Sequence, residues 1–205
     1  MKETESCQKV ELNRLKNFPI MMFAIIMGLS GLSIVYEKAH EVFGLPSFIG
    51  MGLVFFTTVI FLAISIFYSM KLFRYSGEVK KEFNHPIRIN FFATISISFL
   101  LLSIAFHPVN INVSYYGFFI GTIIQTYFTF RTISFWINKN LELHHSNPAW
   151  FIPIVGNVLV PVAGADFVDT NILMYYFSIG MFFWVVLTAI LFNRIIFHHQ
   201  LAGKF

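Results

Sequence analysis

Apolar and polar positions along this chain fall into long blocks, not into the fine alternation of strands. Six apolar runs lie at about 18–36, 48–72, 87–107, 113–137, 148–165 and 172–195, each near the 20 residues a helix needs to cross about 30 Å of hydrocarbon. Backbone in lipid must satisfy its own polar groups, so the pattern predicts an all-α integral membrane protein. Residues 1–17 read as a polar tail, 18–197 as one transmembrane domain of six helices in three hairpins, and 198–205 as an end at which the reading frame is expected to be truncated. The fifth run is the shortest and most broken. Its sequence, NPAWFIPIVGNVLVPVAGADF at 147–167, places Pro148, Pro153 and Pro161 in a stretch otherwise fit to be a helix, although an interior proline costs a helix roughly 3 kcal/mol in water.

Composition narrows the class further. The chain is 57% apolar and 12% charged, against about 25% charged for a soluble domain, which leaves lipid as its natural solvent. The net charge of +4 forms no continuous basic face, so nucleic acid is not an expected partner. The basic residues cluster instead in alternate loops. Lys9, Arg14 and Lys16 precede the first run, Lys71, Arg74, Lys80 and Lys81 follow the second, Arg131 and Lys139 border the 4–5 loop, and Arg194 and Lys204 end the chain. Lys38 stands beside Glu37 and Glu41 on the other side, where the 5–6 loop GADFVDTN is acidic. Basic residues are retained in the cytoplasm, so both termini are expected there, in a multi-pass protein of the plasma (inner) membrane.

Each odd-numbered run opens on a related signature. NFPI at 17–20, NHPI at 84–87 and SNPAW at 146–150 recur 67 and about 62 residues apart, an internal repeat of three parallel hairpins. Proline suits the first turn of a helix, where its missing donor has no partner anyway. All seven prolines fall in the odd runs, at their ends or in the outer loops, so odd and even helices are expected to play different parts.

The odd runs also carry small or polar seams. Projection at 100° per residue puts Pro153, Gly156, Asn157, Val160, Pro161 and Gly164 on one face about 140° wide. The first run has Ala24, Gly28 and Gly31 on a stripe, and the third has Asn90, Thr94 and Ser98 at i, i+4 and i+8. Two readings stand open. Small residues let helices approach and hydroxyls bond back to their own helix; alternatively, three seams on alternate helices, joined to proline breaks, line an aqueous path inside a lipid-facing outer ring. Gly117 and Gly121 form GxxxG in the fourth run, marking either a helix contact or a subunit interface.

No acid or base lies deep in any run, although proton relays and cation-coupled carriers need one. A neutral path suits anions, with Arg88 near the start of the third run supplying either positive potential at the inner mouth or a headgroup contact. Cys7 is the only cysteine, so no disulfide framework arises within the chain. Adjacent His144/His145 and His198/His199 do not face one another on a helix and lack a third ligand, so no metal or other cofactor is expected. His107 and Glu142 read as span-end residues, and no reactive constellation argues for an enzyme.

The stretches FPIMMFAIIMGLSGL at 18–32, KLFRYSGEVKKEFNHPIR at 71–88 and NPAWFIPIVGNVLVPVAGADF at 147–167 resemble the tellurite-resistance/dicarboxylate transporter family, which includes fungal malate transporters and plant slow-type anion channels. The resemblance implies ten helices as five parallel hairpins, odd helices around a central pore and even helices outside, often in trimers. It implies pore-side positions for Gly28, Pro86, Thr94, Asn157 and Pro161, and places an occluding phenylalanine on a ninth helix, beyond the six runs of this chain. The expected function is transmembrane transport of anions, a C4-dicarboxylate such as malate or a small inorganic anion, along a pathway of Gly28, Pro86, Arg88, Asn90, Thr94, Ser98, Pro153, Asn157 and Pro161. Six helices correspond to three hairpins of five, so the chain is read as a fragment of a longer channel, as a subunit whose ring another chain completes, or as a remnant. The alternative function is a structural or interaction role without conduction.

Overall fold

The computed structural model describes residues 14–138 and 147–197. Every predicted run is a helix there, and a seventh helix falls where a loop was expected. In chain order they are α1 (Ile20–Phe43), α2 (Ser47–Arg74), α3 (Ser76–Phe83), α4 (Arg88–Phe106), α5 (Ile111–Asn138), α6 (Pro148–Gly164) and α7 (Thr170–Phe197). Four of them, α1, α2, α4 and α7, are long and apolar enough to cross a membrane. Helix α5 matches α2 in length but spends more of it on Ser, Thr, Asn and Gln, and α6 is shorter.

Boundaries differ from expectation where caps override hydropathy. Helix α1 continues past residue 36 and carries Glu37, Lys38 and Glu41 on its last turns, because the chain finds no stop until Gly44. That residue takes φ 68° and returns its N–H to His40 O at 2.9 Å, a left-handed cap that a side chain would strain. Asn110 and Asp169 start α5 and α7, each accepting from a backbone N–H two residues on, as short polar side chains do at a helix N-cap.

Helix α1 lies along α2, α4 along α5, and α6 along α7, while α4 also touches both α1 and α6. The central place of α4 shows in its burial: 72% of its most apolar window is covered, against 28% for α1 and α2 and 17% for α7. Phe23 and Ile26 of α1, Phe61 and Ile64 of α2, and Phe92 and Leu102 of α4 form one core, with Phe61 edge-on to Phe99 at 5.0 Å. A smaller core joins Leu100, Phe118, Val160 and Leu173 across α4, α5, α6 and α7. Phe55, Phe56, Ile123, Phe130, Phe182 and Phe192 of α2, α5 and α7 point outward, which suits contact with acyl chains. Lipid tails are as apolar as leucine, so shape and polar bonds must hold the helices together.

A buried ion pair stands at the end of α2. The chain turns at Tyr75 and folds α3 back, so that Glu82 meets Lys71 at 2.9 Å and accepts from the Tyr68 hydroxyl at 3.1 Å. Lys71 is 1% exposed and also donates to Phe18 O at 2.7 Å. That carbonyl is free because Pro19 starts α1 as a tight 3-10 turn, in which Met22 N bonds Pro19 O. The buried pair thus ties α1, α2 and α3 at one end of the bundle. At the start of α4, His85 Nδ1 accepts from the N–H groups of Ile87 and Arg88 at 3.2 and 3.4 Å, a role only an unprotonated Nδ1 fills. Although His85 is exposed, partial desolvation and then the Arg88 charge hold this imidazole below its ordinary range.

Removing one member of a buried pair strands the other. Lys71→Met should therefore cost about 3 kcal/mol or more in thermal unfolding of the detergent-solubilised chain, and Lys71→Met with Glu82→Leu should recover part of that loss. Because the folded imidazole of His85 is harder to protonate than the unfolded one, stability should be full above about pH 7 and decline as pH falls through about 6. Melting curves of His85→Asn should show a smaller decline.

Candidate functional site

Proline at 153 and 161 breaks α6 into an α-turn at Phe151–Val155, a 3-10 turn at Gly156–Val158 and a last α-segment at Leu159–Gly164. The tightened middle frees Pro153 O, and two side chains of α5 take it: Gln125 Nε2 donates at 2.7 Å and the Thr129 hydroxyl lies at 3.0 Å. Asn157 Nδ2 donates to Ile154 O at 2.8 Å and to Thr129 Oγ1 at 2.9 Å. On the far side of Gln125, its Oε1 accepts from the Ser96 hydroxyl of α4 at 2.6 Å. A continuous polar chain therefore runs from α4 through α5 to the break in α6, and Ser96, Gln125 and Asn157 are 0%, 0% and 1% exposed. Gly156 permits the close approach, since a Cβ there would lie 2.9 Å from Ile97 Cδ1 and 3.0 Å from Gln125 Nε2.

The structure sorts the nine expected pathway residues into two groups. Gly28 and Arg88 are exposed, and Pro86 and Pro161 are half-buried. Asn90, Thr94, Ser98, Pro153 and Asn157 are buried. The Thr94 hydroxyl donates to Phe91 O at 2.5 Å and that of Ser98 to Thr94 O at 2.7 Å, with Phe23 O of α1 at 3.4 Å. Asn90 Nδ2 donates to Pro86 O and Ile87 O at 3.1 and 3.2 Å. The seam of α4 thus bonds to its own helix and lets α1 close against it. On α6, Pro153, Gly156, Asn157, Val160 and Gly164 of the small seam turn into the bundle, while Val162 is 59% exposed. Freed carbonyls and an amide need donors that hydrocarbon does not supply, and neighbouring helices do.

The glycine pair of α5 is used within the chain. A Cβ at Gly121 would stand 3.0 Å from Leu100 Cγ, and one at Gly117 would stand 3.4 Å from Ser103 Cβ. Beside them Ser103 and Ser114 exchange hydroxyl-to-carbonyl bonds at 2.7 and 2.8 Å. This resolves GxxxG as the α4–α5 contact.

Where α1, α4 and α6 end, they part around a cleft of about 280 Å³, lined by Ile34 of α1, Ala105 of α4 and Val162 of α6 among others. Three helix C-terminal ends at one cleft mean that these helices run in the same direction. His107 Nε2 lies 2.9 Å from Asp166 Oδ2, linking the ends of α4 and α6 across it. Among the described residues no group of three His, Cys, Asp or Glu is placed to hold a metal ion; Cys7, Glu142 and the pairs His144/His145 and His198/His199 lie outside those residues.

Sequence reasoning missed Ser96, Gln125, Thr129, Lys71 and Glu82. A signal existed for Gln125 and Thr129: an amide and a hydroxyl at i and i+4 in mid-span are donors looking for acceptors, and a broken helix supplies them. The Lys71–Glu82 pair depends on the fold-back of α3, which hydropathy does not reveal.

Residues 17–204 match the family model described as voltage-dependent anion channel. The chain is 26% identical to an uncharacterized transporter of Methanocaldococcus jannaschii, over 97% of this chain and 61% of that protein. It is 25% identical to a tellurite resistance protein homolog of Haemophilus influenzae, over 90% of this chain and 57% of that one. An S-type anion channel of Arabidopsis thaliana is 24% identical over 88% of this chain and 30% of its own length. The chain thus spans about three fifths of the microbial relatives and less of the plant one.

The polar chain makes a specific demand on stability. Gln125→Leu removes a donor from Pro153 O and should lower stability in detergent melting by about 1–3 kcal/mol. Gln125→Glu should add a pH dependence, with damage greatest at alkaline pH, because a protonated carboxyl can still donate to Pro153 O and a carboxylate cannot.

Proposed function

The chain belongs to the voltage-dependent anion channel family, and from that premise we propose that it forms part of a transmembrane pathway for anions between α1, α4 and α6. The observation that carries this reading is the cleft at which these three helices part, next to a helix whose broken backbone is satisfied by protein and not by lipid. The names of two relatives, a tellurite resistance protein homolog and an S-type anion channel, support an anionic substrate, and we take it to be a small inorganic anion or, by the family resemblance, a C4-dicarboxylate such as malate. Gly28, Pro86, Arg88 and Pro161 are the accessible positions of the pathway, while Asn90, Thr94, Ser98, Pro153 and Asn157 form the frame that fixes its shape. The basic end faces the cytoplasm of a plasma (inner) membrane, residues 18–197 act as one transmembrane domain, and the working unit is a homo-oligomer, a trimer as the family resemblance suggests. The alternative is a structural or interaction role without conduction, for which GxxxG, packed against α4 within the chain, offers no free surface.

Proteoliposomes containing the chain should release nitrate or malate faster than empty ones. Asn157→Leu, which removes the bonds to Ile154 O and Thr129, should reduce that flux by about tenfold, the consequence of misplacing a frame worth about 1–2 kcal/mol. Flux equal to that of empty liposomes sinks the transport reading. Wild-type flux in Asn157→Leu would instead remove the α6 break from the pathway.

A further inference from the structure

The two ends of the helical bundle differ sharply in charge. At the cleft, α1 contributes Glu37, Lys38 and Glu41, α4 ends in His107, and Asp166 follows α6. Lys38 is taken by Glu41 at 2.7 Å and His107 by Asp166 at 2.9 Å. Glu37 has no ion pair among the described residues and packs its carboxylate over Gly50, at whose ideal Cβ position Oε2 stands 3.0 Å away. Asp169, at the start of α7, adds a further exposed carboxylate near this end. The cleft therefore carries an excess of negative charge between apolar walls, from α1 and from the residues that follow α6.

The opposite end is the reverse. Arg74, Lys80, Lys81, Arg88 and Arg131 are exposed there, with Arg131 held 5.3 Å over the Phe83 ring at the end of α3. Of the acids nearby, Glu82 is neutralised by buried Lys71 and Glu78 is shared between Lys81 at 3.0 Å and Lys16 at 3.7 Å.

We infer that this asymmetry makes the pathway rectify, with Glu37 and Asp166 as the specificity-determining residues of the cleft end: they repel anions arriving there, while the basic end collects them. The inference rests on the reading that the pathway runs between α1, α4 and α6. A charged cleft with low-dielectric walls focuses its field and changes the rate at which ions arrive by 10- to 1,000-fold, an effect that salt screens.

The test reads the potential directly. Cys7 is the only cysteine, so Cys7→Ser with Val162→Cys places a single thiol in the cleft of the full chain, at a position 59% exposed. Its modification rate in detergent is measured with a positively charged and a negatively charged methanethiosulfonate of similar size, each divided by its rate on a small free thiol. The cationic reagent should be favoured by about tenfold or more at low salt, and the preference should collapse at about 1 M salt. Addition of Glu37→Gln and Asp166→Asn should abolish it. In proteoliposomes with the chain in one orientation, anion flux from the cleft end should be the slower direction and should rise several-fold in the Glu37→Gln/Asp166→Asn variant. A thiol with no charge preference in the unneutralised parent overturns the inference even if the variants fail to fold. A conducting chain with symmetric flux overturns rectification alone, and a chain with no flux at all overturns the transport reading together with it.

Discussion

Backbone carbonyls left without an amide partner where a helix starts or tightens inside a membrane have to find donors, and this constraint organises the rest of the structure. A proline-opened or proline-broken helix in water can pass its orphans to solvent, but in hydrocarbon each unpaired group costs several kcal/mol. Every odd-numbered membrane helix of the chain meets this problem and each solves it with a different side chain. Lys71 reaches Phe18 O ahead of α1, Asn90 takes Pro86 O and Ile87 O at the start of α4, and Gln125 with Thr129 takes Pro153 O within α6. At the head of α6, Asn147 Oδ1 accepts from Ala149 N at 2.9 Å, so even the terminal turn is closed by protein.

The identity of the donors determines which helices can move independently. Lys71 belongs to α2, the hairpin partner of α1, and its second bond to Glu82 recruits α3. Gln125 and Thr129 belong to α5, the hairpin partner of α4, and yet they serve α6. The second and third hairpins are therefore coupled by polar bonds as well as by the core around Leu100, Phe118 and Leu173. The first and second hairpins meet through an aromatic core and the single long contact of Ser98 with Phe23 O. Polar coupling is thus concentrated around α6, the element with the weakest backbone. A break so closely supported keeps one shape, which is what a pathway with fixed width requires.

The cleft and the basic end complete the functional picture because both arise from the same parallel arrangement. Odd helices that run in one direction bring their C-terminal ends together, and with them Glu37, His107 and Asp166 from distant parts of the sequence. The same arrangement gathers Arg88 and the residues around α3 at the other end. Charge that looks scattered along the chain becomes an axial gradient in three dimensions.

Hydropathy, proline placement and loop charge were enough to establish six helical runs, an all-α membrane class and a special standing for α6, since each of these follows from local chemistry and the thickness of a bilayer. Gly117 and Gly121 announced a close contact, but only the structure assigned it to α4, because a small face specifies proximity without specifying a partner. The polar seam of Asn90, Thr94 and Ser98 was visible as a pattern, whereas its burial against α1 was decided by packing. Gln125, Thr129, Lys71 and Glu82 acquired their meaning only when α5 met α6 and α3 folded beneath α2. A sequence shows where proline will disturb a helix; the tertiary structure alone determines which carbonyls are left unpaired there and which side chain arrives to bond them.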